Sequence, residues 1–397
     1  MNALIQLTKT ISVFLVVGLC YGLLPTAQAV SPDGCLPGGN TAEGCNALLS
    51  LTTGTFNTAV GFDSLLSNTD TNFNTGVGAG ALLLNTSNEN TATGAGPLFS
   101  NTTGSANTAN GAFALFSNTT GAANTAGGDR ALFSNTEGNL NTANGVGALN
   151  SNTTGPANTA IGDDVLFNNT VGGANTAAGF TALENNTTGN NNTAVGAHAL
   201  QGSLSGDLNT ALGWSAGSGV ITASSVICIG TDGADVSNTT WIGNVFGVTT
   251  QSGTTAPVIV SDGGQLGTVA SSERFKKDIA TMDKASDAIL SLRPVTFHYK
   301  TDTKGAPQFG LIAEEVAKVN SSLVIPDKEG KPFTVRYDAV NVMLLNEFLK
   351  EHRTVQEQQK EIDALKAELK EQRALIQKVS DKVEFDKPVT KTVLNNR

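Results

Sequence analysis

Positive charge is nearly missing from the first two thirds of this 397-residue chain: of 24 Lys and Arg, only Lys9 and Arg130 precede Arg274. With 14 Asp and Glu, residues 1–270 carry 2 − 14 = −12, whereas the last 127 carry 22 − 20 = +2. A segment so poor in cations cannot neutralise phosphates, which excludes nucleic-acid binding by it. Aromatics are scarce too, 22 against 44 Gly, and this argues against one conventional core. The four Cys and three His (His198, His298, His352) show no zinc-ligand spacing, so neither a metal nor another cofactor is expected. Apart from one short run near the start, nothing is apolar enough to span a membrane.

That run follows Lys9, extends from Ile11 to Leu24, and leads into Ala27-Gln28-Ala29. A short basic region, an apolar stretch and a small-x-small site make residues 1–29 a predicted secretory signal peptide, with the mature chain starting at Val30. Leu19 before Cys20 is too bulky for a lipidation signal. The expected location is therefore secreted or cell-surface, with no transmembrane span in the mature chain. In an oxidising compartment Cys35 and Cys45 are a candidate disulfide closing a small loop, whereas Cys228, between Ile227 and Ile229, reads as a small buried hydrophobe.

A repeat organises the chain up to residue 213. The signature Asn-Thr-Ala/Gly-x-Gly starts at Asn57 and recurs at 17-residue spacing to Asn209, with one 16-residue step between Asn74 and Asn90 and a degenerate copy at Asn40. Gly returns four places after each Asn, from Gly44 to Gly213, and Leu eight places after it, from Leu48 to Leu200. A second Asn falls eleven places on in eight copies, Asn68 to Asn186. One Leu per repeat cannot close a core alone, but stacked neighbours can, which is the logic of a solenoid. Seventeen residues is too short for a helix pair and suits one coil of parallel β-structure. Gly would supply a positive-φ corner, and the Asn side chains a ladder of amides along the axis. Acidic residues are too sporadic (Asp63, Asp129, Asp163, Asp164) for a calcium roll.

The repeats resemble the head of trimeric autotransporter adhesins, whose Asn-Thr-Ala-Val-Gly signature stands at Asn57–Gly61 and at Asn192–Gly196, the latter followed by Ala199-Leu200. The resemblance implies a left-handed parallel β-roll with three chains side by side. The chain ends Val393–Arg397 after charged sequence with no amphipathic β-strands of that family's membrane anchor, so self-transport through an outer membrane is not expected. From Trp214 to Ala270 the period lapses into Gly, Ser and Thr with short β runs, read as a β-rich neck.

At Ser271 the composition changes. Ser271-Ser272-Glu273-Arg274-Phe275-Lys276-Lys277-Asp278-Ile279 is followed by Leu292-Arg293-Pro294-Val295-Thr296-Phe297-His298-Tyr299, then Gln308-Phe309-Gly310-Leu311-Ile312-Ala313-Glu314-Glu315-Val316, then Val335-Arg336-Tyr337-Asp338. This strongly resembles the C-terminal intramolecular chaperone of phage endosialidases, tail spikes and tail fibres, also present in myelin regulatory factor. The resemblance implies a domain that drives trimer assembly and then cuts itself off at the bond before a Ser nucleophile served by a Lys five residues on. Carried onto this chain, the catalytic pair is Ser271 and Lys276 and the cleaved bond is Ala270–Ser271. Many relatives have Asp after the Ser, where this chain has Ser272.

Beyond Asp338 apolar residues fall seven apart at Phe348, Val355, Ile362, Leu369, Ile376 and Val383, with Leu344, Leu365 and Val379 in the other seam position. That is a coiled-coil pattern. The expected architecture is mainly β: a trimeric left-handed parallel β-solenoid of 17-residue repeats (30–213), a β neck (214–270), a small α/β chaperone domain (271–338), a coiled coil (339–386) and a loose tail (387–397). The expected function is a secreted homotrimeric fibre-like surface protein or adhesin whose chaperone domain, a serine endopeptidase acting once on its own chain, releases itself. A cell-surface glycan or protein receptor would be its partner. An uncleaved adhesin trimer is the alternative. A glycan-degrading fibre is disfavoured, because no carboxylate pair recurs and Asp163-Asp164 would point to opposite faces of a strand.

Overall fold

A computed structural model describes residues 35–385. The predicted signal peptide and the tail after Lys387 lie outside the described residues, as does the Cys35 side chain and with it the Cys35–Cys45 pairing. The described chain divides into two units between Gly253 and Thr254, and among the described residues no helix is long and apolar enough to cross a membrane.

The first unit is a parallel β-solenoid. Its fourteen-stranded sheet runs in strict chain order, opened by an antiparallel pair, Cys35–Leu36 with Asn40–Glu43. Every later strand lies parallel to the one before it, from Thr58–Val60 to Thr240–Ile242. Each of these strands has three residues, usually Thr-Ala-x, and all but the last, Thr240–Ile242, bury the middle one. These Ala residues and the Leu column, Leu48 to Leu200, form one continuous core. No coil has a core of its own, so stability is shared between neighbours.

The two Asn columns form two ladders. Along the first, the backbone N–H of each leading Asn donates to the side-chain Oδ1 one coil earlier, as Asn107 to Asn90 at 3.0 Å and Asn124 to Asn107 at 3.0 Å. Along the second, each Nδ2 donates backwards, as Asn118 to Asn101 at 2.7 Å and Asn135 to Asn118 at 2.8 Å. Asn118 Nδ2 also donates to Gly121 O at 2.8 Å. All these side chains are fully buried, and hydrogen bonding is what makes that burial tolerable.

The glycine column does more than turn the chain. Gly111 has φ +143°, and a Cβ there would stand 2.4 Å from Gly128 O. Glycine is required both for its conformation and for the close approach of consecutive coils. The Leu column is left-handed as well, with Leu115 at φ 50° and Leu132 at 53°. A left-handed L-residue costs roughly 1–2 kcal/mol, which burial of a Leu side chain, about 1.5–3 kcal/mol, offsets.

The solenoid does not stop at residue 213. The strands Ile227–Ile229 and Thr240–Ile242 continue the ladder in register, so the segment read as a neck begins as further coil. At the Leu place of the coil starting at Asn209 stands Gly217, whose Cβ would lie 2.8 Å from Leu200 Cδ2. Val220, Val226 and Cys228 fill the core there, as the hydrophobic reading of Cys228 requires. The carboxylate of Asp235 closes this region: Oδ1 accepts from the N–H groups of Ile221, Thr222 and Ala223 at 2.9, 2.8 and 2.7 Å. In earlier coils a threonine carbonyl takes those amides, as Thr119 O does for Thr102, Thr103 and Gly104.

The second unit is small. A hairpin pairs Ile259–Val260 with Leu266–Gly267. Then come a 3-10 turn Glu273–Phe275, a 3-10 segment Asp283–Ser291, and the antiparallel pair Val295–Phe297 with Gln308–Gly310. Helix α1 (Ala313–Val319) precedes a second pair, Val324–Pro326 with Pro332–Val335, and the 49-residue helix α2 (Tyr337–Phe385). The unit's buried apolar core is Val316, Leu323, Val335 and Met343, with Ala339 and Val340 packed against it. The base of α2 is therefore part of this domain's core.

Candidate functional site

Ser271 and Lys276 are brought together by the turn between them. Phe275 N donates to Ser272 O at 3.0 Å and Lys276 N to Glu273 O at 2.9 Å, a tight 3-10 turn that folds the chain back after five residues. Lys276 Nζ then donates to Ser271 Oγ at 3.4 Å. Ser272 precedes the turn with extended backbone (φ −65°, ψ 141°) and its side chain makes no capping hydrogen bond. Arg274 lies over the Phe275 ring, 4.6 Å from its centroid, which directs that guanidinium to the ring. Ala270, Ser271 and Lys276 are all exposed in the single chain.

The elements that follow hold the turn's domain together. Gly310 lacks a Cβ because one would lie 2.7 Å from Tyr337 Oη, and that hydroxyl accepts from Leu311 N at 2.9 Å. The Gln-Phe-Gly-Leu and Arg-Tyr-Asp motifs are thus two halves of one contact. Arg293 grips Glu315 bidentately, Nε to Oε2 at 3.1 Å and Nη2 to Oε1 at 2.5 Å. The pair lowers the Glu315 pKa and raises that of Arg293.

Sequence reasoning missed a polar latch between the 3-10 segment and α2. Ser286 is fully buried; its hydroxyl donates to Glu347 Oε1 and accepts from Asn346 Nδ2 at 2.7 Å. Lys350 Nζ donates to Asp287 at 2.7 Å and to Glu347 at 2.7 Å, which raises its pKa and lowers that of Glu347. A lysine held in its charged form is a poor base, so Ser286 and Lys350 read as a tether. The contact spans 61 residues, and no local spacing announces it.

On the solenoid, Asp163 and Asp164 sit in the turn after the strand Thr159–Ile161, so the alternation of a strand does not apply to them. The Asp164 pKa is raised, first by burial and then by Asp163 and Glu184. Among the described residues no group of three or more His, Cys, Asp or Glu is placed to hold a metal ion.

Residues 271–325 match the family model described as the chaperone of endosialidase. The match begins at Ser271 and ends within the strand Val324–Pro326, short of Tyr337 and α2. A segment similar to the chaperone of endosialidase thus follows the parallel β-solenoid in sequence. Neither the curated proteins nor the solved structures include a match to the chain.

Proposed function

We propose that the chain is one protomer of a secreted, homotrimeric surface fibre whose last part assembles it and then cuts itself away between Ala270 and Ser271. The observation that carries the reading is the 3.4 Å approach of Lys276 Nζ to Ser271 Oγ at the first residue of a segment matching a chaperone family.

The chemistry follows from the position of the nucleophile. Lys276, once neutral, takes the Ser271 hydroxyl proton, and Oγ attacks the Ala270 carbonyl carbon through a five-membered ring. The C–N bond breaks as the proton passes to the Ser271 nitrogen, leaving Ala270 as an ester on Oγ. Water hydrolyses that ester, giving an Ala270 carboxylate and a free Ser271 amine. A lysine serves as base only when desolvation or neighbouring cations lower its pKa, and in the single chain Lys276 is exposed. Cleavage is therefore tied to assembly, which would cover the pair.

Assembly has its own support. Phe348, Val355, Ile362, Leu369, Ile376 and Val383, the seven-residue seam, are all between 44% and 68% exposed on α2, a cost that companion helices remove. Parallel pairing between chains is non-local and slow, so a registering helper is physically apt. Its removal would leave the trimer unable to refold, a kinetic stabilisation.

The test is the mass of the purified chain under denaturing conditions, wild type beside Ser271→Ala. Two fragments meeting at Ala270–Ser271 in the wild type only are expected. Full-length chain in both would reduce the domain to a retained trimerisation device.

A further inference from the structure

One corner of the solenoid carries three rings in file. The coils starting at Asn175, Asn192 and Asn209 place Phe180, His198 and Trp214 edge to face, with centroids 5.4 Å apart for the first pair and 6.3 Å for the second. Phe180 is 51% and Trp214 74% exposed. Their neighbours are polar and already held. His198 Nδ1 lies 2.8 Å from Thr181 Oγ1 and 3.1 Å from Gln201 Oε1, and Gln201 Nε2 donates to Glu184 Oε2 at 2.6 Å.

We propose that this corner binds a neutral glycan chain. Large exposed rings offer flat apolar surface at little conformational cost, and the C–H face of a pyranose is the flat apolar surface that matches them. The fixed Gln201 and Glu184 side chains flank the rings with a donor and an acceptor for sugar hydroxyls, the few placed polar groups that orient a ligand. Phe180 and Trp214 are two coils apart, about 10 Å at strand spacing, which suits alternate units of an extended chain. Rings in file, rather than around a point, do not form a cage for a compact cation.

Charge selects the class. Arg130 is the one Lys or Arg between residues 10 and 273, and Asp163 and Glu184 both lie close enough to Asp164 to act on it electrostatically. Sialylated, uronic or sulfated chains would meet repulsion here, and neutral ones none. A second copy of the chain has a drier surface elsewhere: Ile161, Val195, Leu212, Ile229 and Ile242 are exposed along the strand face. Covering the corner with protein would bury the Glu184 carboxylate at a desolvation cost.

The inference deepens the surface-fibre reading and rests on it for the site's display, not on cleavage. The full-length assembled protein is titrated calorimetrically with cellotetraose, mannotetraose and chitotetraose, and with a heparin tetrasaccharide as the anionic comparison. Saturable binding of at least one neutral tetrasaccharide is expected, weakened tenfold or more by Trp214→Ala, unaltered by Trp241→Ala, and absent for heparin. Acrylamide quenching of Trp214 in a Trp241→Phe background shows whether the ring is open in the assembly. No neutral binding, equal binding by Trp214→Ala, preference for heparin, or a shielded Trp214 would each overturn the proposal. The chain's mass and oligomeric state, measured on the same samples, judge the fibre reading separately.

Discussion

Lys276 Nζ stands 3.4 Å from Ser271 Oγ, held there by the 3-10 turn Glu273–Phe275. The pair is local and needs no tertiary contact to form; what a single exposed chain withholds is the dry environment that would make the amine a base. Lys276→Arg separates these contributions. Arginine keeps the positive charge and can donate to Ser271, but it cannot give up its proton. We expect Lys276→Arg and Ser271→Ala to assemble as the wild type does and to remain full length by mass. Cleavage in Lys276→Arg would remove the lysine from the mechanism.

One of the closest backbone approaches in the solenoid predicts a highly sensitive position. Gly145→Ala sets a Cβ 2.1 Å from Gly162 O at φ +146°. Neither relaxation is cheap, because the obstructing atom is backbone and the conformation is one L-residues avoid. A loss of about 3 kcal/mol or more is expected from strain and displacement together, read as a lower melting temperature. Gly263→Ala, with only Ser261 Oγ near and that at 3.9 Å, serves as the control and should be nearly silent.

The second Asn ladder ends abruptly, and the end is informative. Asn186 Oδ1 and Ser203 Oγ are both buried without a hydrogen-bond partner, because Ser203 stands where the next Asn would be. Ser203→Ala therefore loses no bond and should change stability by less than about 0.5 kcal/mol. Asn118→Ala, mid-ladder, orphans Asn101 Oδ1, leaves Asn135 Nδ2 only its bond to Gly138 O and opens a cavity, and should cost about 2–4 kcal/mol. Equal effects of the two substitutions in denaturant melts would mean that the ladder does not stabilise the coil.

Asp235 makes the end of the solenoid acid-sensitive. Its pKa is lowered to about 2 from 3.8, chiefly by the amides of Ala223, Thr222 and Ile221. A depressed carboxylate contributes stability that is fully present above the unfolded pKa and lost as pH falls through the folded one. Faster exchange of those three amides is thus expected between pH 4 and pH 2, with mid-solenoid amides such as Thr102–Gly104 unaffected. Equal change at both places would point to general acid unfolding.

The Asn and Leu columns and the seven-residue seam could be read directly because each is a repeat of residue type, and repeats survive without coordinates. Ser271 and Lys276 stand out through the chaperone resemblance rather than from any spacing, and a single turn brings them together. The left-handed Leu residues could not, since nothing marks Leu as tolerant of φ near 50°; the stacking imposes it. Nor could the coils beyond residue 213, where Val220, Val226 and Cys228 keep the core filled, and Gly217 replaces Leu, while the signature is abandoned. The Phe180–His198–Trp214 file alternates between two repeat positions, so no single column of the repeat displays it.

Helix α2 offers the test that joins assembly to chemistry. Ile362 lies mid-helix on the seven-residue seam, 44% exposed in the single chain and distant in sequence from the base that packs on Val316 and Leu323. Ile362→Asp leaves that small core untouched while setting three carboxylates against one another in a trimeric seam. The expected outcome is a monomer by sedimentation with its chain still full length, since without partner chains nothing covers the Ser271–Lys276 pair. A monomer that is nonetheless cut at Ala270–Ser271 would show that one chain suffices for the chemistry. A variant that remains trimeric would show that the association is held by the solenoid rather than by α2.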